Sequence, residues 1–167
     1  MTTTPDHPQT AFWLRARTAA PALPSEPPEA WAFGATEDHA DALLELVLAG
    51  TKTATASSAW DLEATGEPLP QAGTFSVILD GAARPRAVIE TTDVRVLPFD
   101  GVDADHAWSE GEGDRSLSAW REIHERYWRS HAVDPRGWRP DMPVVCERFR
   151  LIYREVSASH CVPAPPQ

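Results

Sequence analysis

The sequence predicts a mixed α+β domain built around a mainly antiparallel sheet or small barrel. Three observations lead there. The apolar pattern runs in the order helix, strands, helices, strand; an Asp80-Gly81 turn signal joins two strand-like runs; and 167 residues with a 42% hydrophobic fraction suffice for one core but not for two ordinary domains.

The first clear element is a helix that Thr36 caps. Glu37 and Asp38 favour its positive end, Leu43, Leu44, Leu46, Val47 and Leu48 form its apolar face, and Gly50 closes it. Residues 53–57 alternate small polar and small apolar side chains, as a strand does. Trp60 to Glu63, followed by Gly66, Pro68 and Pro70, read as a turn and loop. Residues 74–79 and 87–96 are strands and make the hairpin. Residues 103–109 suit one or two helical turns, and Ser116 opens a helix to about residue 130 with Leu117, Trp120, Ile123, His124 and Tyr127 on one face. Residues 143–153 close the domain as a strand. The domain is expected over residues 31–154. Residues 1–30 form a proline-rich tail with at most a short docked turn at Phe12-Trp13-Leu14, and residues 155–167 form a second proline-rich tail.

Composition excludes several classes of function. No apolar run approaches the roughly 20 residues of a membrane span, and the first residues lack a signal-peptide pattern, so a cytoplasmic location is expected. Cys146 falls in a core-like strand and Cys161 in the second tail, which suits two reduced thiols. The six histidines show no metal-ligand spacing, so neither a metal nor a cofactor is expected. A net charge of -10 opposes binding to a DNA duplex or any long polyanion. That charge is uneven. Residues 1–114 carry six basic and nineteen acidic side chains, residues 115–167 nine and six, which leaves room for a local arginine-rich face suited to a short ligand.

Lys52 is the only lysine; the other fourteen basic side chains are arginine. An amine changes protonation on burial and serves as base or nucleophile, whereas a guanidinium stays charged. Composition alone favours the plainer account, a single lysine surviving in a surface salt bridge, since exposed lysines are ordinary. Its neighbour Thr55 offers a hydroxyl, but three residues apart on a regular strand they would face opposite ways, so a turn or bulge is needed to bring both to one pocket. The second cluster is Glu110-Gly111-Glu112-Gly113-Asp114. Crowded carboxylates raise one another's pKa, as an acid or base requires, although a solvated acidic loop has the same composition.

Gly50 to Ser57, Gly66-Glu67-Pro68-Leu69-Pro70, Glu110 to Leu117 with Trp120-Arg121 and His124, and Met142 to Phe149 together resemble the ASCH domain family, in the right order, over residues 31–153. The resemblance implies a PUA-like fold, a small β-barrel flanked by helices, with a cleft for RNA or modified nucleosides. It implies mixed activities: RNA-binding regulators, ribonuclease-like members, and amidohydrolases that deacetylate N4-acetylcytidine through a Lys, a Thr three residues on and a later Glu. Lys52 and Thr55 match the first two positions, and either Glu110 or Glu112 matches the third. In this reading Lys52 activates Thr55 and a carboxyl with raised pKa protonates the leaving amine. The expected partner is a small nucleoside-like ligand or single-stranded RNA. Thr53, Ser57, Trp60, Asp114, Ser116, Arg121 and Arg148 complete the candidate ligand-binding set, by hydroxyl contacts, base stacking and phosphate contacts. A non-catalytic RNA-binding module would use the same residues.

Overall fold

The computed structural model describes residues 8–155. Helix α1 spans Pro8–Ala19, strand β1 Ala30–Trp31, α2 Glu37–Leu48, β2 Ala54–Ser58, α3 Ala59–Thr65, β3 Phe75–Leu79, β4 Pro85–Pro98, α4 Ala104–Glu110, α5 Leu117–His131 and β5 Pro143–Arg154. The second expected tail, except Glu155, lies outside the described residues, as do Cys161 and residues 1–7.

The five strands form one sheet in the order β1-β3-β4-β5-β2. Only the β1–β3 pair is parallel. The mixed α+β class and the β3–β4 hairpin agree with the sequence, but the expected barrel does not form. Closure requires the two edge strands to pair. Here β1 has two residues, and at the other edge the Thr53 N–H, just before β2, donates to the Ser109 carbonyl of α4 at 2.7 Å rather than to a strand.

Alternation along β3 distributes the core. Val77 points to one face of the sheet, against Phe12, Trp13 and Ala16 of α1; Ile78 points to the other, against Leu43, Leu44 and Val47 of α2. The stretch expected as a tail therefore holds a 12-residue helix whose Phe12 and Trp13 are buried. A third cluster joins α4 and α5 to the far end of β4 and β5 through Trp120, Trp128, Met142 and Val144. Residues 59–65, expected as a turn, form α3, which Ser58 caps by accepting from the Asp61 N–H and Gly66 ends in the left-handed conformation. No helix among the described residues is long and apolar enough to cross a membrane.

Candidate functional site

Two chain turns place the candidate groups. After α2, the N–H groups of Thr51 and Lys52 both donate to the Leu46 carbonyl, at 2.9 and 3.0 Å, so Lys52 is tied to the helix end before β2 begins at Ala54. Strand alternation does not reach it. Lys52 and Thr55 consequently face one cleft, and the turn that the sequence required is the C-terminus of α2.

The acids come from α4. Asp103 caps that helix, Gly111 ends it at φ 75°, and Glu110 is its last residue rather than part of a free loop. A side chain on Gly111 would put a Cβ 2.7 Å from the Thr51 carbonyl oxygen. Glycine thus permits the close approach that sets the α4 terminus against the Lys52 segment.

Glu110 is fully enclosed and each of its oxygens has two partners. Oε1 lies 2.8 Å from His106 Nε2, one helical turn back, and accepts from the Trp120 indole N–H at 2.8 Å. Oε2 faces the Lys52 ammonium at 3.4 Å and His124 Nε2 at 3.3 Å. Burial alone would raise its pKa, but His124 and Lys52, with the histidine hydrogen bonds, outweigh burial and hold the carboxyl well below its ordinary value. Glu110 is therefore an ionised carboxylate, opposite to the raised-pKa acid that the crowding of carboxylates suggested. Glu112 differs. Its side chain is 15% exposed, against 1% for Glu110, and it meets Lys52 at 3.6 Å through Oε1.

Lys52 is itself 2% exposed, with Nζ 5.3 Å from the centre of the Phe33 ring. These groups line a cleft of about 100 Å³ together with Phe33, His39 and Leu43. Glu110, Glu112 and His124 bring one potential ligand atom each within 4.8 Å of one another, but the Lys52 ammonium already lies against both carboxylates. A divalent ion there would have to displace a fixed cation, so the arrangement is that of an ion-paired acid–base cluster.

Lys52, Thr55, Glu110 and Glu112 share the cleft; the remaining candidate residues lie outside its lining. Thr53 is exposed and donates to Ser109, and Ser57 is half-buried, paired with Val145 along β5. Trp60 packs under the Arg136 guanidinium at 4.5 Å. Asp114 is exposed and accepts from the Ser116 N–H, while Ser116 caps α5. Arg121 donates to the Asp100 carbonyl, and Arg148 reaches Ser109 and Asp105, both at 2.6 Å. Sequence reasoning missed the roles of Phe33, His39 and His106. For His106, the signal was present: it stands four residues before Glu110, one turn away on the same helical face.

The model of the ASCH domain matches residues 29–153. Among solved structures, an ASCH domain from Lactobacillus crispatus JV V101 superposes with a TM-score of 0.78 at 29% identity, covering 88% of this chain and 95% of that one. Protein EF3133 from Enterococcus faecalis V583 gives 0.77 at 33% identity, covering 86% and 87%. No curated protein matches the chain.

Proposed function

This chain belongs to the ASCH domain family, whose fold is PUA-like, and from that premise we propose that its cleft binds a nucleoside-like small molecule and hydrolyses an N-acyl (amide) bond in it. The observation that carries the reading is the solitary lysine: its amine is buried against Glu110 and Glu112 in the cleft that Thr55 also lines. A buried amine in contact with carboxylates is a proton-handling group, and a neighbouring hydroxyl is a nucleophile once its proton is taken.

The two acids divide the work. Glu110, ionised and with both oxygens engaged, positions Lys52. Glu112, nearer solvent, accepts a proton from the Lys52 ammonium, and the freed amine takes the Thr55 hydroxyl proton as Oγ attacks the acyl carbon. Net charge supports a small ligand over a polynucleotide, since -10 on the chain and two carboxylates in the cleft repel phosphates.

The test is turnover of N-acylated nucleosides by wild type, Lys52→Ala and Lys52→Arg. Loss of the base should lower the rate on the order of 10²–10⁴-fold in both variants. Equal turnover in all three proteins would remove the reading.

One observation favours a second reading, a module binding single-stranded RNA. Trp108 is 56% exposed, with the Arg115 guanidinium 3.8 Å above its ring, which is a ready platform for a base. Salt separates the two. RNA binding should weaken with a log–log slope of about -0.7 per phosphate contacted, whereas nucleoside turnover should hardly respond.

A further inference from the structure

His124 sits in the cleft wall on α5 with its ring stacked on Trp120, the centroids 4.2 Å apart and the planes 19° from parallel. Its two nitrogens have partners that only accept. Nδ1 lies 2.9 Å from the Trp120 carbonyl oxygen, and Nε2 lies 3.3 Å from the ionised Glu110 Oε2. A neutral imidazole has one N–H, so it can satisfy one of these partners and not both. The doubly protonated ring satisfies both. His106 makes the contrast: its Nε2 meets Glu110 Oε1 while its buried Nδ1 has no hydrogen-bond partner among the described residues.

We propose that His124 is the proton donor of the site, its imidazolium giving the Nε2 proton to the leaving nitrogen as the C–N bond of an N-acylated heterocyclic amine breaks. This rests on the amide-hydrolase reading above. Other groups in the cleft are less suited to the task, and His39, on α2, has no carboxylate partner among the described residues to hold a second proton. Glu110 is ionised, Lys52 and Glu112 are engaged with the Thr55 proton, and the Tyr127 phenol is pushed above its ordinary value by burial and by Asp61, so it is a poorer acid than before.

The charges facing His124 agree on balance. Glu110 at the end of α4, Glu112 just beyond it and the Trp120 carbonyl on its own helix favour the cation, while the Lys52 ammonium, which shares Glu110 Oε2 with it, opposes it. Burial opposes a charged ring, but Glu110, and secondarily Glu112, outweigh it and raise the ring above its ordinary 6.5. With an acceptor at each nitrogen, the ring keeps its second proton to higher pH than a free imidazole does and is available as an acid.

The protons balance over the cycle. Thr55 Oγ bonds to the acyl carbon, and its proton passes to the Lys52–Glu112 pair. The tetrahedral adduct collapses, the C–N bond breaks, and the His124 proton completes the leaving amine. Neutral His124 then takes one proton from water as the water oxygen attacks the acyl-Thr55 ester. The carboxylic acid leaves, Thr55 recovers its proton from the Lys52–Glu112 pair, and His124 is again an imidazolium.

Two probe substrates test the step. N4-acetylcytidine has an amine leaving group that must be protonated; 4-nitrophenyl acetate has a phenolate that need not be. In His124→Gln the ratio of amide to ester kcat/KM should fall about 10²-fold or more. An active wild type whose ratio is unchanged in His124→Gln overturns the donor role alone. A wild type inert toward both substrates removes the amide-hydrolase reading, and the donor role falls with it. Apart from turnover, the nitrogen chemical shifts of His124 in the resting wild-type protein near neutral pH should show two protonated nitrogens. A ring with one proton overturns the proposal whether or not the variant folds.

Discussion

The indole N–H of Trp120 donates to Oε1 of Glu110 at 2.8 Å, and this bond helps to orient the buried carboxylate. With Oε1 held by Trp120 and His106, Oε2 is turned toward Lys52 and His124. A tryptophan at core-like helical spacing is thus both packing and a polar anchor. Its ring also lies 5.3 Å from that of Phe99 and stacks on His124.

Trp120→Phe keeps the aromatic packing but removes this donor. Hydrogen bonds to charged groups contribute about 1.5–3 kcal/mol, so urea unfolding should show a loss in that range. Amide turnover should fall as well, because Glu110 loses one of the two groups that orient it. A variant as stable as wild type would mean that His106 alone fixes the carboxylate.

Stability should pass through a maximum with pH. Glu110 is held below its ordinary 4.5, so its contribution is present above that value and is lost as pH falls through the lower folded value. His124 is raised above 6.5, so its contribution is full below 6.5 and is lost as pH rises through its folded value. Unfolding free energy should be greatest between about 4.5 and 6.5 as far as this pair is concerned, and Glu110→Gln should flatten both limbs. Denaturant titrations across pH provide the check; a pair contribution that grows above 6.5 would contradict the ion-pair account.

Gly111→Ala should separate Lys52 from Glu110. The added methyl would lie 2.7 Å from the Thr51 carbonyl at φ 75°. Left-handed strain alone costs about 1–3 kcal/mol, and relief of the clash moves the α4 terminus away. Gly113→Ala is the control, with φ 59° but its nearest neighbour the Ile123 Cδ1 at 3.4 Å. Gly111→Ala should lose more stability and more turnover than Gly113→Ala; equal effects would show that the close approach to Thr51 is unimportant.

Helix α1 should be part of the folding unit. Phe12 is wholly buried and meets the Tyr153 ring edge-on at 5.5 Å. Phe12→Ala should cost about 3–5 kcal/mol in equilibrium unfolding. A change within about 0.5 kcal/mol, the usual range for a surface position, would return this segment to the status of a tail.

Much of the frame was legible locally. Helix α2 announced itself by Thr36, its leucines and Gly50, and the hairpin by Asp80-Gly81, because caps and turns depend on residues a few positions apart. Helix α1 was not legible. Pro8 and Pro21 flank a segment without sustained amphipathic period, and only the apolar sheet face beneath Phe12 and Trp13 makes it an ordered helix. The open sheet was also hidden, since nothing in the sequence shows that β1 has only two residues or that Thr53, just before β2, pairs with Ser109 of α4.

The same division runs through the site. Residue types alone singled out Lys52 and the Glu110–Asp114 stretch, because one amine among arginines and glycine-spaced carboxylates are chemical facts of the chain, while Thr55 among its neighbouring hydroxyls was chosen only by the family resemblance. Tertiary structure decided which acid is enclosed, what surrounds it, and that His124 faces it. Glu110 and Glu112 are two residues apart and identical in composition, yet one lies against His106, Trp120, His124 and Lys52 while the other stays near solvent. Protonation follows the charges and burial around a group, and those are supplied by segments up to 58 residues distant in the chain.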